Sequence, residues 1–574
     1  MPLEKKRYIH LKRKSWEKTF YHKKKILDIS IQQKKEKHDD DMTQKQFYME
    51  IINHILSQKI CTKEELHRAK IRLCRKHKIN TIPPDSKILA HLPHDIPEWK
   101  KETAYSILRK KPMRTISGVA IVAVMTSPEK CPHGQCIPCP GGPEHNTPQS
   151  YTGYEPAAMR AISNKFDPYL QTKNRLDQLK TIGHTIDKID LILMGGTFTS
   201  RDPIYQQWFV KRCFDALNRK ESSTLEMAKK KNETAKSRCI GLTIETRPDW
   251  FHIQHADNAL QLGATRVELG VQTIYDNILH NIKRGHTVID TIHATRIAKN
   301  SGFKVCYHLM PGLPGSDEEK DIETFRTIFT DQRFKPDMIK IYPTLIIKGT
   351  KLYKMWKNRE YNPLDTEKAA EIVTKIKKHV PPWVRIQRIQ RDVPITQIAE
   401  GVKKSNLRQI IEENLKRHGE NCKCIRCREI GHKMLREKPD IHEENIKIIN
   451  YQYQASDSTE IFISLEDKKH DILFGYLRLR DIVSTHRPEL QKKPCMIIRE
   501  LKILGREIPI GQKNNNGWQH RGYGKQLIKE AEKICYEEFD KKRLFVLSGI
   551  GVKEYYRKLG FTDDNIYLSK TISP

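Results

Sequence analysis

The stretch GVAIVAVMTSPEKCPHGQCIPCPGG, residues 118–142, joins a β-rich apolar run directly to three closely spaced cysteines. The apolar run predicts a buried strand, and the pattern Cys-x4-Cys-x2-Cys places Cys131, Cys136 and Cys139 in the loop that follows. Thiolates at such short intervals are typical of a metal site. A zinc ion with His133 as its fourth ligand and a four-iron cluster with one open iron both suit the spacing. The loop alone leaves both open.

Short β-rich runs then alternate with amphipathic helical stretches from about Gly118 to Pro394. The further runs are IDLILMGG, CIGLTIET, RVELGVQ, KVCYHLMPG and MIKIYPTL. Such alternation predicts βα units around a parallel sheet, here a partial or complete TIM-like barrel. The active site of a barrel lies at the carboxyl ends of its strands. The residues that we expect at those ends are Gly195, Gly196, Glu245, Arg247, Gln272 and Met310.

The composition of the chain indicates several domains and a polyanionic partner. Its 574 residues exceed what one hydrophobic core organises, so two or three domains are expected. The formal net charge of +34 favours nucleic acid over a membrane surface as the partner, although a solvated lysine-rich surface is the simpler explanation. No run of eighteen apolar residues occurs, so no membrane span is predicted. Thirteen cysteines, six of them in two clusters, favour metal sites in a reducing cytoplasm.

The N-terminal region combines a basic segment with a helical pattern. Residues 1–38 carry thirteen Lys or Arg against four acids. The aromatic residues interleaved with them are Tyr8, Trp16, Phe20 and Tyr21. Cations for phosphates beside rings for bases are typical of a nucleic-acid arm, but a disordered tail has the same composition. Helical spacing follows from Thr43 to Lys78, where Thr62 and Glu65 form a capping-box pattern. We therefore predict a basic arm and helices over residues 1–80.

A polar, helical linker is predicted over residues 395–445, after a barrel domain over 81–394. The linker contains CKCIRC, in which Cys422, Cys424 and Cys427 have the close spacing of a structural zinc site. Candidates for a fourth ligand are His418, His432 or a cysteine outside the run. A reduced, exposed cysteine loop is the alternative.

A second α/β domain is predicted over residues 446–574. Strands are expected near 460–466, 472–480, 495–504 and 543–548, with a helix from Gly524 to Phe539. At the start of that helix, QHRGYGKQLIKEAEK places Gln519, Gly522 and Gly524 in a pattern that bares backbone N–H groups. A helix N-terminus of this kind binds a pyrophosphate, although a tight turn explains the glycines equally well.

The segments LILMGGTF and TIETRPD, placed after the cysteine loop, resemble the radical S-adenosylmethionine enzymes. The resemblance implies a [4Fe-4S] cluster on the three cysteines, with its open iron holding S-adenosylmethionine, and leaves His133 as a loop residue. It implies that Gly195 and Gly196 let backbone carbonyls approach the methionine amino group. It also implies that Glu245 meets the ribose and Arg247 the carboxylate.

Longer stretches resemble one branch, the catalytic subunit of Elongator in its archaeal form. They include CPHGQCIPCPGGP, QSYTGYEPAAMRA, HLMPGLPGS, KIYPTLIIKGTKLY and RIQRDVP. The segment SGIGVKEYYRKLGF completes a motif order that resembles the GNAT acetyltransferases, whose pyrophosphate belongs to coenzyme A. These resemblances imply acetyl-CoA contacts at Lys188, Glu500, Leu501, Lys502, Ile503, Tyr523, Gly524, Lys525 and Tyr556. Lys188 and Tyr556 are also expected to take part in catalysis, and the linker is expected to bind zinc.

The implied activity is that of a tRNA carboxymethyluridine synthase. An adenosyl radical would remove hydrogen from the methyl group of acetyl-CoA, the carbon radical would add to C5 of wobble uridine 34, and thioester hydrolysis would leave a carboxymethyl group. The expected partners are the tRNA anticodon stem-loop and an external electron donor, without accessory Elongator subunits. Lys340 is expected to contact substrate or cofactor, or to form a structural ion pair. Alternatives are a lysine acetyltransferase whose barrel only binds tRNA, and a non-catalytic tRNA scaffold.

Overall fold

A computed structural model describes residues 42–437, 439–511 and 517–573. The described chain forms two compact units, one of residues 42–112 with Leu179–His184 and one of Met113–Gln178 with 185–573. The basic arm predicted over residues 1–38 lies outside the described residues. The four domain ranges given above stay predictions.

The first unit is helical, as predicted. Its helices are α1 over 42–56, α2 Lys63–Lys76, α3 Asp85–Ala90 and α4 Glu98–Leu108. The capping box at the start of α2 is formed, because Thr62 Oγ1 accepts from Glu65 N at 3.1 Å while Glu65 Oε2 accepts from Thr62 N at 3.0 Å. The buried core of this unit contains Phe47, Ile51, Ile55, Leu66, Leu73, Ile88 and Leu108.

A seven-stranded parallel sheet forms the partial barrel of the second unit and confirms the predicted fold. Its strands are β1 Ala120–Met125, β2 Lys188–Met194, β3 Arg238–Thr246, β4 Arg266–Gln272, β5 Lys304–Leu309, β6 Met338–Ile341 and β8 Arg385–Ile389. The short strands β7 Ile346–Ile347 and β9 Ile398–Glu400 pair separately. Six of the seven barrel strands were expected from the sequence. The seventh, β8, alternates charged and apolar residues in RIQRI, and was missed.

Helices cover the outside of the barrel and continue into the linker. Those between the barrel strands are α5 Pro156–Ser163, α6 Pro168–Thr181, α7 Pro203–Asn218, α8 Leu225–Asn232, α9 Ile253–Leu262, α10 Asp276–Asn281, α11 Val288–Asn300, α12 Glu318–Thr330, α13 Lys351–Lys357 and α14 Thr366–Lys378. Those that follow are α15 Leu407–Arg417, α16 Ile425–Arg428 and α17 Ile430–Arg436. Among the described helices, none is long and apolar enough to cross a membrane.

A mixed seven-stranded sheet forms the C-terminal part of the second unit. Its order is β10 Ile446–Ala455, β11 Ser458–Asp467, β12 Ile472–Ile482, β13 Cys495–Ile503, β14 Arg543–Val546, β16 Tyr567–Thr571 and β15 Thr562–Asp564. The helices are α18 Pro488–Gln491, α19 Tyr523–Lys533 and α20 Lys553–Arg557. β13 and β14 are parallel, and their pairing ends at Ile498 and Val546. The last residues of β13 therefore face an opening between these two strands.

Buried charges join the barrel to the C-terminal sheet. Asp337, which precedes β6, accepts hydrogen bonds from Arg499 of β13 at 2.6 and 2.8 Å. Lys299 of α11 lies 3.2 Å from Glu460 of β11, and all four side chains are almost fully buried. Breaking one partner of such a network leaves an uncompensated buried charge, so the two sheets are firmly held together.

Candidate functional site

The three cysteines of the first cluster line a cavity of about 310 Å³ at the carboxyl ends of the barrel strands. Strand-end residues Met194, Gln272 and Met310 line the same cavity. Of the residues predicted for S-adenosylmethionine, Gly196, Glu245 and Arg247 are also in its wall. The structure therefore brings together the residues that the sequence placed at separate strand ends.

Each thiol of this cluster has a polar side chain beside it. The contacts are Thr197 Oγ1 at 3.6 Å from Cys131 Sγ, His133 Nε2 at 3.0 Å and Arg284 Nη1 at 3.7 Å from Cys136 Sγ, and Gln149 Nε2 at 3.1 Å from Cys139 Sγ. Burial raises the pKa of the Cys131 and Cys136 thiols, and the positive charge of Arg284 opposes that rise. Donors of this kind stabilise thiolates that bind a metal.

The distances between the sulfur atoms differ between the two cysteine clusters. In the described chain, the Sγ atoms of Cys422, Cys424 and Cys427 all lie within 4.8 Å of one another, and the three sulfurs around the barrel cavity do not form such a group. Thiolates on a single zinc ion stand roughly 4 Å apart, because each Zn–S bond is about 2.3 Å. Ligands on different irons of a cluster stand farther apart. The first cluster thus suits a four-iron group and the second a single ion.

Gly195 and Gly196 end β2 with left-handed backbone angles, φ +133° and +91°. A Cβ on Gly195 would lie 2.0 Å from Thr126 Oγ1, and one on Gly196 would lie 3.7 Å from Cys131 Sγ. Only glycine fits the first position without a shift of Thr126. The glycine pair therefore lets the backbone pass close to the cysteine loop, although Gly195 itself is not in the cavity wall.

Arg247 is a buried cation whose guanidinium group is only partly hydrogen-bonded. Its side chain is 2% exposed and pairs with Asp249 at 2.6 Å, while its Nη1 has no hydrogen-bond partner among the described residues. A buried N–H without a partner is costly, so this atom suits an anionic ligand group. Sequence reasoning missed the other arginines of the cavity wall, among them Arg284, which donates to Gly270 O at 3.0 Å.

An ion-pair network occupies the inner wall of the barrel below the cysteines. Lys340 Nζ lies 3.2 Å from Glu245 Oε1 and also contacts Glu268. The other partners of Glu268 are His308 at 2.8 Å and Arg266 at 3.4 Å. Burial alone would lower the pKa of Lys340, but Glu268 raises it well above its usual range. Tyr151 donates to Glu245 Oε2 at 3.1 Å. The ion pair expected as one possibility for Lys340 is thus present, at the edge of the cavity.

A second cavity, of about 510 Å³, lies where the amino ends of the barrel strands face β13 and α19. All nine residues predicted to contact acetyl-CoA line it: Lys188, Glu500, Leu501, Lys502, Ile503, Tyr523, Gly524, Lys525 and Tyr556. Sequence reasoning missed most of the barrel side of this wall, which contains Asp190, Gly241, Arg266 and Lys304. Burial lowers the pKa of Lys304 to about 8, against the attraction of Glu500. These residues lie in the first halves of four different strands, so no local sequence motif marks them.

Lys188 contacts the segment that precedes α19. Its Nζ donates to Ile508 O at 2.6 Å and to Gln519 Oε1 at 2.8 Å. Gln519 also donates from Nε2 to Ile503 O at 3.2 Å. The glutamine of the sequence motif therefore ties β2 and β13 together. A Cβ on Gly118 would lie 2.0 Å from Gln519 Nε2, which explains the glycine there.

The two positions at the start of α19 require glycine for different structural reasons. Gly522 has φ +88° and caps the helix, whose first N–H groups face the cavity. Gly524 has no such angle, but a Cβ there would lie 2.6 Å from the hydroxyl oxygen of Tyr555. The glycine at 524 is thus needed for the close approach of Tyr555 as well as for open backbone N–H groups. Both Tyr555 and Tyr556 line the cavity.

The second cysteine cluster has a buried lysine beside it. Lys377 Nζ donates to Cys427 Sγ at 3.6 Å and its side chain is fully buried. Neither predicted histidine joins the thiols, since His418 Nδ1 contacts Asn414 O at 2.7 Å and His432 Nε2 lies 3.4 Å from Glu429. An ammonium group at this position would compensate the charge of thiolates on a metal ion, and sequence reasoning missed it.

Comparisons with known proteins identify the family. Residues 126–328 match the Radical SAM superfamily, 336–417 the Radical_SAM C-terminal domain and 44–116 the ELP3 N-terminal domain. The chain is 53% identical over 531 residues to tRNA uridine(34) acetyltransferase of Methanocaldococcus jannaschii, which covers 91% of this chain and 97% of the relative. The chain belongs to the Elongator complex protein 3 family. The resemblance read from the sequence is thereby confirmed.

Two further members of this family span most of the chain. Elongator complex protein 3 of Schizosaccharomyces pombe is 41% identical over 514 residues, or 88% of this chain and 94% of the relative. The solved structure of archaeal Methanocaldococcus infernus Elp3 with an N-terminal deletion is 49% identical and covers 80% of this chain and 100% of its own, with a TM-score of 0.71. The fold described above is thus the fold of this family.

Proposed function

We propose that the protein attaches a carboxymethyl group to C5 of wobble uridine 34 in tRNA, using S-adenosylmethionine and acetyl-CoA. The observation that carries this proposal is the placement of two different cavities at opposite ends of one barrel, one with three separated thiols and the other with a helix N-terminus and four lysines. The relative named tRNA uridine(34) acetyltransferase supports the same base and an acetyl group as the unit transferred. The carboxymethyl group as the final product is our own proposal and goes beyond the name of this relative.

In the first cavity, Cys131, Cys136 and Cys139 would hold a [4Fe-4S] cluster. When bound, that group supplies the electron for reductive cleavage of S-adenosylmethionine. The unpartnered Nη1 of Arg247 would bind the carboxylate, and the turn at Gly195 and Gly196 would present backbone carbonyls to the amino group. Glu245, held by Lys340 and Tyr151, would orient the ribose.

In the second cavity, the open end of β13 and the start of α19 would hold acetyl-CoA. Backbone groups of Glu500–Ile503 would pair with the amides of the pantetheine arm, as an added strand pairs with a sheet edge. The N–H groups of Tyr523 and Gly524, near Lys525, would bind the pyrophosphate. Lys188 and Tyr556 would lie beside the thioester, where Lys188 would first have to release Gln519.

The remaining parts of the proposal concern partners and the linker. Cys422, Cys424 and Cys427 would hold a structural zinc. The anticodon stem-loop would bind with uridine 34 unstacked, because a base inside its loop cannot otherwise reach a cavity. The first unit and the basic residues 1–38 would contribute to this binding. An external reductant would supply electrons in the cytoplasm, and accessory Elongator subunits would not be needed.

Mass analysis of nucleosides tests the activity. The reconstituted protein is incubated anaerobically with tRNA, acetyl-CoA, S-adenosylmethionine and a reductant, and the tRNA is digested. We expect carboxymethyluridine only when both small molecules are present, and none from the Cys136→Ala variant. The same modified nucleoside without S-adenosylmethionine, or acetylated lysines on added protein in place of modified tRNA, would contradict the proposal and favour a simple acetyltransferase.

A further inference from the structure

Three neighbouring arginines of the second unit repel one another electrostatically and have no carboxylate partner among the described residues. Arg114 ends a short helical turn, Arg160 is on α5 and Arg175 is on α6. All three side chains are half-buried. Within the described part of the chain, no Asp or Glu oxygen lies within 4.0 Å of any of them, whereas most buried arginines of this protein are ion-paired. This arginine triad therefore carries uncompensated positive charge.

Hydrogen bonds on neutral groups fix the positions of two members of the triad. Arg160 Nη1 donates to Pro156 O at 2.9 Å, and Arg175 Nη1 donates to Gln178 Oε1 at 2.6 Å. Asn164 Nδ2 donates to Arg160 O at 2.7 Å, and its Oδ1 accepts from Asn174, the neighbour of Arg175. This amide pair ties the end of α5 to α6 beside Arg175, and the repulsion between Arg160 and Arg175 indicates that their guanidinium groups are close. Arg175 Nε is buried and has no partner among the described residues.

The electrostatic state of the triad agrees with this geometry. Burial, together with repulsion from Arg160 and Arg114, lowers the pKa of Arg175 to about 10. Burial and Arg114 also lower the pKa of Arg160. Like charges held together in a folded protein are destabilising unless an anion lies between them. Guanidinium groups bind phosphate oxygens with two parallel hydrogen bonds, which suits such an anion.

One member of the triad, Arg160, follows residues of α5 that line the cysteine cavity. Pro156 and Ala157, the first residues of α5, line the cysteine cavity. Arg160 is one helical turn farther along, a rise of roughly 5 Å. Exposed apolar side chains of the same segment, Tyr154 and Met159, flank it. A polynucleotide with one base in the cavity would carry its next phosphate groups across this surface.

We propose that Arg114, Arg160 and Arg175 form a binding site for backbone phosphates of the RNA whose base enters the cysteine cavity. The inference deepens the proposed function and depends on it. The site contributes affinity and positions the strand, and it contributes no base specificity, since phosphate contacts carry no sequence information. Removing a member weakens binding of all RNA sequences alike.

Salt-dependent RNA binding tests the site. Affinity of the full-length protein for a tRNA anticodon stem-loop is measured at several salt concentrations for the wild type, for Arg160→Gln with Arg175→Gln, and for Arg326→Gln, an exposed arginine paired with Glu323. We expect the double variant to reduce the slope of log affinity against log salt by roughly 0.7 to 0.9 for each lost phosphate contact. The Arg326 control changes the slope little.

A further variant and a stability measurement distinguish loss of the phosphate site from loss of folding. Arg175→Lys keeps the charge but not the planar fork, and we expect intermediate affinity. Thermal unfolding without RNA should show the double variant at least as stable as the wild type, because repulsion is removed. A double variant with the salt slope of the Arg326 control would overturn the site. If the wild type itself fails to bind RNA, the proposed function fails, which is a different result.

Discussion

Lys340 Nζ lies 3.2 Å from Glu245 Oε1 on the inner wall of the barrel, where each side chain is only 9% exposed. The same ammonium group contacts Glu268, which is fully buried. One cation therefore neutralises two buried carboxylates, and one of them lines the cysteine cavity. A single side chain thus sets both the stability of the barrel interior and the orientation of a cavity residue.

Replacing Lys340 by Met should destabilise the second unit. Glu245 would lose its cation and Glu268 would keep only Arg266 and His308, and breaking a buried ion pair from one side costs about 3 to 5 kcal/mol of unfolding free energy. Denaturant unfolding measures this change. Lys340→Arg keeps the charge and is the matched control, for which we expect a smaller loss. An unchanged midpoint in the Met variant would contradict the role of this lysine.

The contribution of the Lys340–Glu268 pair to stability should decrease as the pH falls. Burial opposes ionisation of Glu268, but Lys340 holds the pKa of Glu268 well below its usual value of 4.5. A carboxyl whose pKa is lowered by folding adds stability at neutral pH and loses it as the pH falls below that usual value. The stability difference between the wild type and Lys340→Met should therefore shrink on acidification from pH 7. Urea unfolding at several pH values measures it, and a difference that grows would refute the assignment.

Metal analysis should separate the two cysteine clusters. Cys136→Ala is expected to lose most of the roughly four irons that a [4Fe-4S] group contains, while zinc content is kept. Cys424→Ala should lose about one zinc and keep the iron, because its sulfur belongs to the compact group near Lys377. Elemental analysis of anaerobically reconstituted protein gives both numbers. Loss of both metals from either variant would mean that the clusters are not independent.

The turn after β2 should tolerate no side chain at its first glycine. Gly195→Ala combines φ +133° with a Cβ 2.0 Å from Thr126 Oγ1, and we expect a loss of about 2 to 3 kcal/mol in unfolding free energy. Gly134 in the cysteine loop has φ +86° but no atom within 4 Å of an added Cβ. Gly134→Ala, with strain and no clash, should lose only about 1 kcal/mol. Equal losses would mean that the contact with Thr126 is relieved by a shift.

Much of this architecture could be predicted because the barrel strands are short apolar runs with regular spacing. Strand β8 was missed because RIQRI places charged side chains between apolar ones. That pattern resembles an edge strand or a loop until the pairing of β8 with β6 is known. The buried lysine beside the second cysteine cluster was missed for a related reason. Lys377 lies 50 residues before Cys427 on a helix, so no local spacing connects them.

Residues that line the cavities could be anticipated from the sequence where they share a local motif, but not where tertiary structure assembles them. Cys131, Cys136 and Cys139 form one loop, and the glycines of α19 form one turn. Arg266 and Lys304 begin two different strands and meet the C-terminal sheet only because the barrel ends face it. Sequence patterns record the period of a strand, but they do not record which domain covers its end.

Binding of coenzyme A should weaken as the pH rises through about 8. Lys304 lies in the wall of the second cavity, where Thr265 Oγ1 is 3.2 Å from its Nζ and burial lowers its pKa to about 8. The ligand phosphates favour the protonated lysine, so binding takes up a proton near this pH, and affinity should fall several-fold between pH 7 and pH 9. Lys304→Gln should bind more weakly at pH 7 and lose most of the pH dependence.

Lysine 529 offers the control for this test, because Lys529 is exposed on α19 outside the cavity wall. Lys529→Gln removes the same charge from the same domain and should keep the wild-type pH profile. Calorimetry in two buffers of different ionisation enthalpy measures the proton uptake directly. A Lys304→Gln variant that still takes up the proton would assign the titration to another group, and the lowered pKa of Lys304 would then have no part in binding.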